Sequence, residues 1–135
     1  MKARVKIADV GAEFDEVDLG DTRLNRRVVK VARGIAANPA VGFPKAMVTE
    51  ADLEGLYRLL RNDRVSFDGL LTPHIAASHA RCREHESVIV VHDTTQFRFL
   101  GEAREGLGRL EKTARGFRAH FALALALGEL SLIHI

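Results

Sequence analysis

"VIVVHDTTQF", Val88 to Phe97, is where the sequence changes character. Four apolar β-branched residues run straight into His92, Asp93, Thr94 and Thr95. A short apolar run of this kind, apolar on both faces, reads as a central strand covered on both sides. Gln96 to Phe99 then alternates polar and aromatic. Further on, "FRAHFALALALG" alternates strictly, with Phe117, Ala119, Phe121, Leu123, Leu125 and Leu127 on one face and Arg118, His120 and three alanines on the other. This is a long half-buried strand whose second face is small enough for a helix or another strand to approach closely. The intervening "LGEAREGLGRLEKTARG" is a polar, glycine-rich connection, and its Gly106–Gly108 pair lacks the setting of a dinucleotide site.

Before residue 86 the apolar period is helical. "GDTRLNRRVVKVARGIAANP" predicts a helix over 22–37, capped by Asp21 and stopped at Asn38-Pro39. "AVGFPKAMVT" is a linker with one helical turn from Pro44. Thr49 caps a second helix over 50–61, in which Leu53, Leu56, Tyr57 and Leu60 form the buried face. Ser66 caps a third helical stretch ending near His85. Pro73 either kinks this stretch or opens a new helix capped by Thr72, and the second arrangement is the one preferred. Residues 1–20 read as a loose arm with a helical turn near 12–15. The domains are therefore an arm (1–20), a helical part (21–86) and the opening of a sheet (87–135).

Composition narrows the class. The chain has 135 residues, 47% of them hydrophobic, which suits one domain or a small domain with a piece of another. The single cysteine, Cys82, excludes an internal disulfide and a cysteine zinc cluster, and it fits a reducing cytoplasmic setting. The N-terminus does not read as a signal peptide, and no run reaches the ~18 apolar residues of a membrane span. A net charge of +2 does not point to nucleic acid by itself, so the distribution of charge decides.

That distribution is uneven. At 100° per residue, Leu24, Val28, Val31 and Ile35 fall within about 60° of each other. Arg23, Arg26, Arg27, Lys30 and Arg33 fill an opposite sector of about 120° that contains no acid after Asp21. Such a stripe is either a solvated face or a phosphate-tracking surface. Arg58, Arg61 and Arg64 add to it, or pair with Asp52, Glu54 or Asp63. Tyr57 reads as core rather than as a base-stacking platform. Asp93 is either a turn cap or a metal ligand at a strand end, where functional groups of open sheets gather. A regular strand turns His92 to the face opposite Asp93. His120 comes near Asp93 if the two strands pair. His74, His79 and His85 lack the spacing that puts two ligands on one helix face.

The blocks "LGDTRLNRRVVKVARGIAANP", "EGLYRLLRNDRVSFDGLLTPH" and "VIVVHDTTQFRF" occur in the order and spacing of the N-terminal part of bacterial DDE transposases of the Tn-five and insertion-sequence-four group. The chain resembles that family from about Leu19 to Leu127. The resemblance implies an α+β chain: an all-helical domain that binds double-stranded transposon-end DNA, followed by the first strands of a truncated RNase H-like α/β domain. It assigns DNA contact to Arg23, Arg26, Arg27, Lys30 and Arg33, and more weakly to Arg58, Arg61 and Arg64. It makes Asp93 the first of three catalytic acids that hold Mg2+ for DNA cleavage and strand transfer, in a nucleoid-associated protein that works as a synaptic dimer. The family's second aspartate and its glutamate find no match here, since Glu102, Glu105, Glu111 and Glu129 stand outside its motif. The expectation is a transposase fragment, inactive alone. The rival readings are a stand-alone DNA-binding or inhibitory protein, and a helical adaptor whose basic stripe meets an acidic protein.

Overall fold

The structure, a computed structural model, describes residues 9–99, 105–111, 114–126 and the strand at 132–134. It is α+β, and the chain divides into two compact units, Met1–Arg81 and Cys82–Ile135.

The first unit is helical. A 3-10 turn, Val10–Phe14, precedes α1 (Thr22–Ala37), α2 (Phe43–Ala46), α3 (Glu50–Leu60) and α4 (Phe67–Arg83), whose last two residues, Cys82 and Arg83, belong to the second unit. The helix starts follow local chemistry. The Asp21 side chain accepts the Arg23 amide at 2.8 Å, Thr49 Oγ1 accepts the Asp52 amide at 3.1 Å, and Ser66 Oγ accepts the Gly69 amide at 3.0 Å. Each satisfies an amide that the first helical turn leaves free.

Val28 of α1 is buried with Val17, Leu19 and Leu59, and Leu24, Val31, Val65 and Leu70 pack around them. A second cluster joins Ala46, Met47 and Leu56. The segment read as an arm thus joins this core through Phe14, Val17 and Leu19, while residues 1–8 lie outside those described.

Two details of the helical expectation are corrected. Tyr57 and Leu60 are exposed, at 38% and 55%, and α3 instead buries Gly55, Leu56 and Leu59. The face that α1 meets is turned towards Gly55, where the missing side chain admits an arginine from α1. Pro73 does not open a new helix, because α4 runs through it. Thr72 donates its hydroxyl to the Asp68 carbonyl at 2.7 Å, a bond within the helix and not a cap.

In the second unit, β1 (Val88–Phe99) pairs antiparallel with β3 (Arg115–Ala126) along its whole length. The other edge of β3 carries β2 (Gly108–Arg109) at one end and β4 (Leu132–His134) towards the other. Two short strands therefore join the two expected from sequence. The central strand is β3, and β1 is an edge strand among the described residues.

The sheet corrects the expectation of a strand covered on both sides. Ile89, Val91 and Phe121 stand on one face at 48%, 47% and 51% exposure. On the other face only one end is buried, where Ala124 and Ala126 pack with Val88 and Cys82, while Val90, His92 and Thr94 are exposed. The alanines admit close packing at that end, as they suggested, and Leu123, Leu125 and Phe121 line the open face. Leu127 lies outside the described residues.

Candidate nucleic-acid interface

In the basic stripe of α1, the two cations nearest the C-terminal end are paired with acids from distant segments. Arg33, near the C-terminal end, is held by Asp9. Its Nη2 donates to Asp9 Oδ2 at 2.7 Å, and its Nε lies 3.1 Å from both carboxylate oxygens. The guanidinium arm lies over Gly11, where a Cβ would come within 2.4 Å of Arg33 Nε. The Arg33 hydrogen bond and the Gly11 amide hold the Asp9 carboxyl below its usual range. Lys30, one turn earlier, forms an ion pair with Asp52 of α3. The Lys30 hydrogen bond is the chief reason that the Asp52 carboxyl is lowered, with the Thr49 hydroxyl and the charge of Arg27 adding to it.

The other cations of the stripe converge on α3. One cleft, about 530 Å³, is lined by Asp21, Arg23, Leu24, Arg27, Arg58, Leu59, Asn62 and Arg64. A second, about 330 Å³, is lined by Arg23, Arg26, Arg27, Lys30, Val31, Met47, Ala51 and Asp52. Arg23 and Arg27 line both. The Arg27 guanidinium lies over Gly55, since a Cβ there would come within 1.4 Å of its Nη1. Within the clefts, Arg58 is paired with Glu54 at 2.5 Å, both side chains well exposed. Arg61 caps the end of α3 and lines neither cleft.

Of the eight cations that the sequence singles out, the structure brings six to the clefts: Arg23, Arg26, Arg27, Lys30, Arg58 and Arg64. It holds Arg33 on the 3-10 turn and leaves Arg61 outside. Guanidinium groups present several donors in a planar fork, so a row of them on a helical surface suits phosphate oxygens spaced along a backbone. Asp52, expected as a partner of the arginines at the end of α3, pairs instead with Lys30 and places its carboxylate in the second cleft. Two contributors have no place in the sequence reading: Asn62 lines the first cleft, and Gly55 makes room for Arg27. The last left a signal, because an isolated glycine inside a strong helical pattern often marks close packing.

Asp93 lies on the sheet. It is not at a strand end, because β1 continues to Phe99 and Asp93 pairs across to Phe121. This removes the turn-cap reading. Thr95 donates its hydroxyl to Asp93 Oδ2 at 3.3 Å. His120 is not its neighbour: it sits opposite Thr94, on the face that also carries His92. Among the described residues no three His, Cys, Asp or Glu side chains gather in a way that could hold a metal ion. Mg2+ demands near-octahedral oxygen coordination, and one carboxylate on an apolar face does not meet that demand by itself.

Comparison with known proteins bears on the helical unit. Residues 10–65 match the family model described as transposase DNA-binding. The match begins at the 3-10 turn, includes α1, α2 and α3, and takes in both clefts. It supports DNA as the partner of this part of the chain, and a transposase N-terminal part as its kind. Among the described residues no helix is long and apolar enough to cross a membrane.

Proposed function

We propose that the chain is the N-terminal part of a DDE transposase that grips element-end DNA through the α1–α3 clefts. The observation that carries the reading is the meeting of Arg23, Arg26, Arg27, Arg58 and Arg64 around two adjoining clefts, within the segment that matches the transposase DNA-binding model. Lys30 is held by the half-buried Asp52 and Arg33 by a forked contact with Asp9, so both contribute less to phosphate binding than the sequence implies, whereas the Arg58–Glu54 pair is exposed on both sides and yields more readily to a phosphate. Work on element ends would place the protein at the nucleoid, and pairing of two ends would call for a dimer.

If about five phosphates are neutralised, log affinity should fall with log salt at a slope near −4 to −5. Replacing Arg23, Arg26 and Arg27 together by alanine should flatten that slope by about 2 to 3 units. A slope unchanged in the triple variant would remove the clefts from the DNA interface.

In the same reading, the second unit opens an RNase H-like domain, and Asp93 supplies one carboxylate to a divalent-cation site that further acids must complete. Support comes from the "HDTT" block and from the rigid hold of β1 by β3 along their full length. The aspartate's part would be to bind and orient the cation, and Mg2+ would supply Lewis-acid chemistry on phosphate oxygens. Asp93→Ala, made at the matching position of a complete homologous enzyme, should abolish cleavage while leaving end binding intact. Retained cleavage would remove Asp93 from the metal site.

A further inference from the structure

We infer that His92 and His120, on the sheet face opposite Asp93, form a binding site for a borderline divalent transition-metal ion such as Zn2+. Their ring nitrogens already meet, with His92 Nδ1 lying 3.0 Å from His120 Nε2. The rings stack with centroids 5.2 Å apart and planes 20° from parallel. The two residues come from neighbouring strands: His92 is opposite Ala122, and His120 is opposite Thr94. They are therefore diagonal neighbours on one face of a fully paired ladder, within reach of long side chains.

The separation suits chelation. Zinc bonds imidazole nitrogen at about 2.0–2.1 Å, so two such ligands at a tetrahedral angle stand about 3.3 Å apart. Two ligands at a right angle, as in square-planar or octahedral ions, stand about 2.9 Å apart. The observed distance lies between these values. With His120 Nε2 accepting, His92 Nδ1 carries the proton of the ring–ring hydrogen bond, so metal binding shifts His92 to its Nε2–H tautomer and a rotation of the rings then aims both lone pairs at one ion.

The third observation is Thr94. Its hydroxyl oxygen lies 2.8 Å from His120 Nδ1. When Nδ1–H donates to that oxygen, the lone pair of His120 is on Nε2, the atom that faces His92. Ligating histidines commonly have their second ring nitrogen fixed in this way, which sets the tautomer and the ring orientation. Both imidazoles are exposed, and so is Thr94, so water can complete the coordination. Nitrogen donors select Zn2+, Cu2+ or Ni2+ over Mg2+, which prefers oxygen. The site is thus separate in face and in chemistry from any Mg2+ role of Asp93, and it stands or falls independently of DNA binding.

The test is a Zn2+ titration of the whole chain, read by NMR of its six histidine rings, with Mg2+ as the control ion. The expected result is saturable change confined to two imidazoles, lost in His92→Asn and in His120→Asn. Thr94→Val should weaken binding by about tenfold or more. His79→Asn and His85→Asn should leave it unchanged. Because the wild-type spectrum identifies the responding rings, a variant that fails to fold does not decide the outcome. The inference is overturned if no saturable change appears at large molar excess of Zn2+, if the responding rings are His74, His79, His85 or His134, or if Mg2+ produces the same response.

Discussion

Gly55→Ala separates the stability of the helical unit from its grip on DNA. An alanine inside a helix is favoured over glycine by about 1 kcal/mol. By that measure alone the substitution should stabilise α3. The space above Gly55, however, is filled by Arg27: a Cβ there would come within 1.4 Å of Nη1 and 2.7 Å of Cζ. Restoring ordinary contact at about 3.5 Å moves the guanidinium by about 2 Å. The atoms displaced are the far end of a flexible side chain, so the fold yields cheaply. A charged hydrogen bond to phosphate has no such tolerance, because it holds only within a few tenths of an ångström of its best length. The expected variant is folded, with stability within about 1 kcal/mol of the parent. Its DNA affinity should be at least about tenfold lower, and its salt slope shallower by about one unit. Chemical denaturation reads the first quantity, and fluorescence anisotropy with a labelled duplex at several salt concentrations reads the second. Unchanged affinity and slope in Gly55→Ala, alongside a clear loss in Arg27→Ala, would refute the claim that Gly55 sets the position of Arg27. A destabilisation above about 2 kcal/mol would refute the claim that the arginine yields freely.

Other expectations follow from the same geometry. Arg33→Ala should leave the salt slope unchanged where Arg26→Ala lowers it by about one unit, because Arg33 is occupied by Asp9. Anisotropy across a salt series checks both. Thr49→Ala removes the cap of α3 and should cost about 1 kcal/mol, seen as a lowered denaturation midpoint. Burial by itself raises the Glu13 carboxyl, but hydrogen bonds and charge from Arg81 and His74 outweigh it, and the net shift is downward. Glu13 therefore contributes stability that is fully present above its ordinary value of 4.5 and is lost as pH falls through the lower folded value. Unfolding measured across that acid range should show a shallower loss in Glu13→Gln than in the parent.

What was legible in the sequence was local. Asp21, Thr49 and Ser66 announce their helices, since a cap is chemistry between residues two or three apart. The alternation of "FRAHFALALALG" announces β3 for a similar reason, and its alanines foretold the closely packed face. The misses involve partners distant in sequence. The basic stripe looked continuous because α1 contains no acid beyond Asp21, yet Asp9 and Asp52 arrive from other elements and take up Arg33 and Lys30. The buried face of α3 escapes an apolar count because Gly55, with no side chain to count, marks the side that α1 approaches. The apolar run stops at Val91, which suggests a strand end at Asp93. The ladder with β3 ignores that stop and carries β1 on to Phe99. Nothing in the pattern of either strand alone could set the register that brings His92 to His120.

The central claim is that the clefts between α1 and α3 hold DNA. An amide NMR titration of the chain with a short DNA duplex at low salt tests it most directly. Resonance changes should concentrate on Arg23 to Lys30 of α1 and on Arg58 to Arg64 at the end of α3, and should leave Asp9 to Phe14 and the β1–β3 ladder little affected. Changes centred on the 3-10 turn or on the sheet, with the cleft residues silent, would contradict the account.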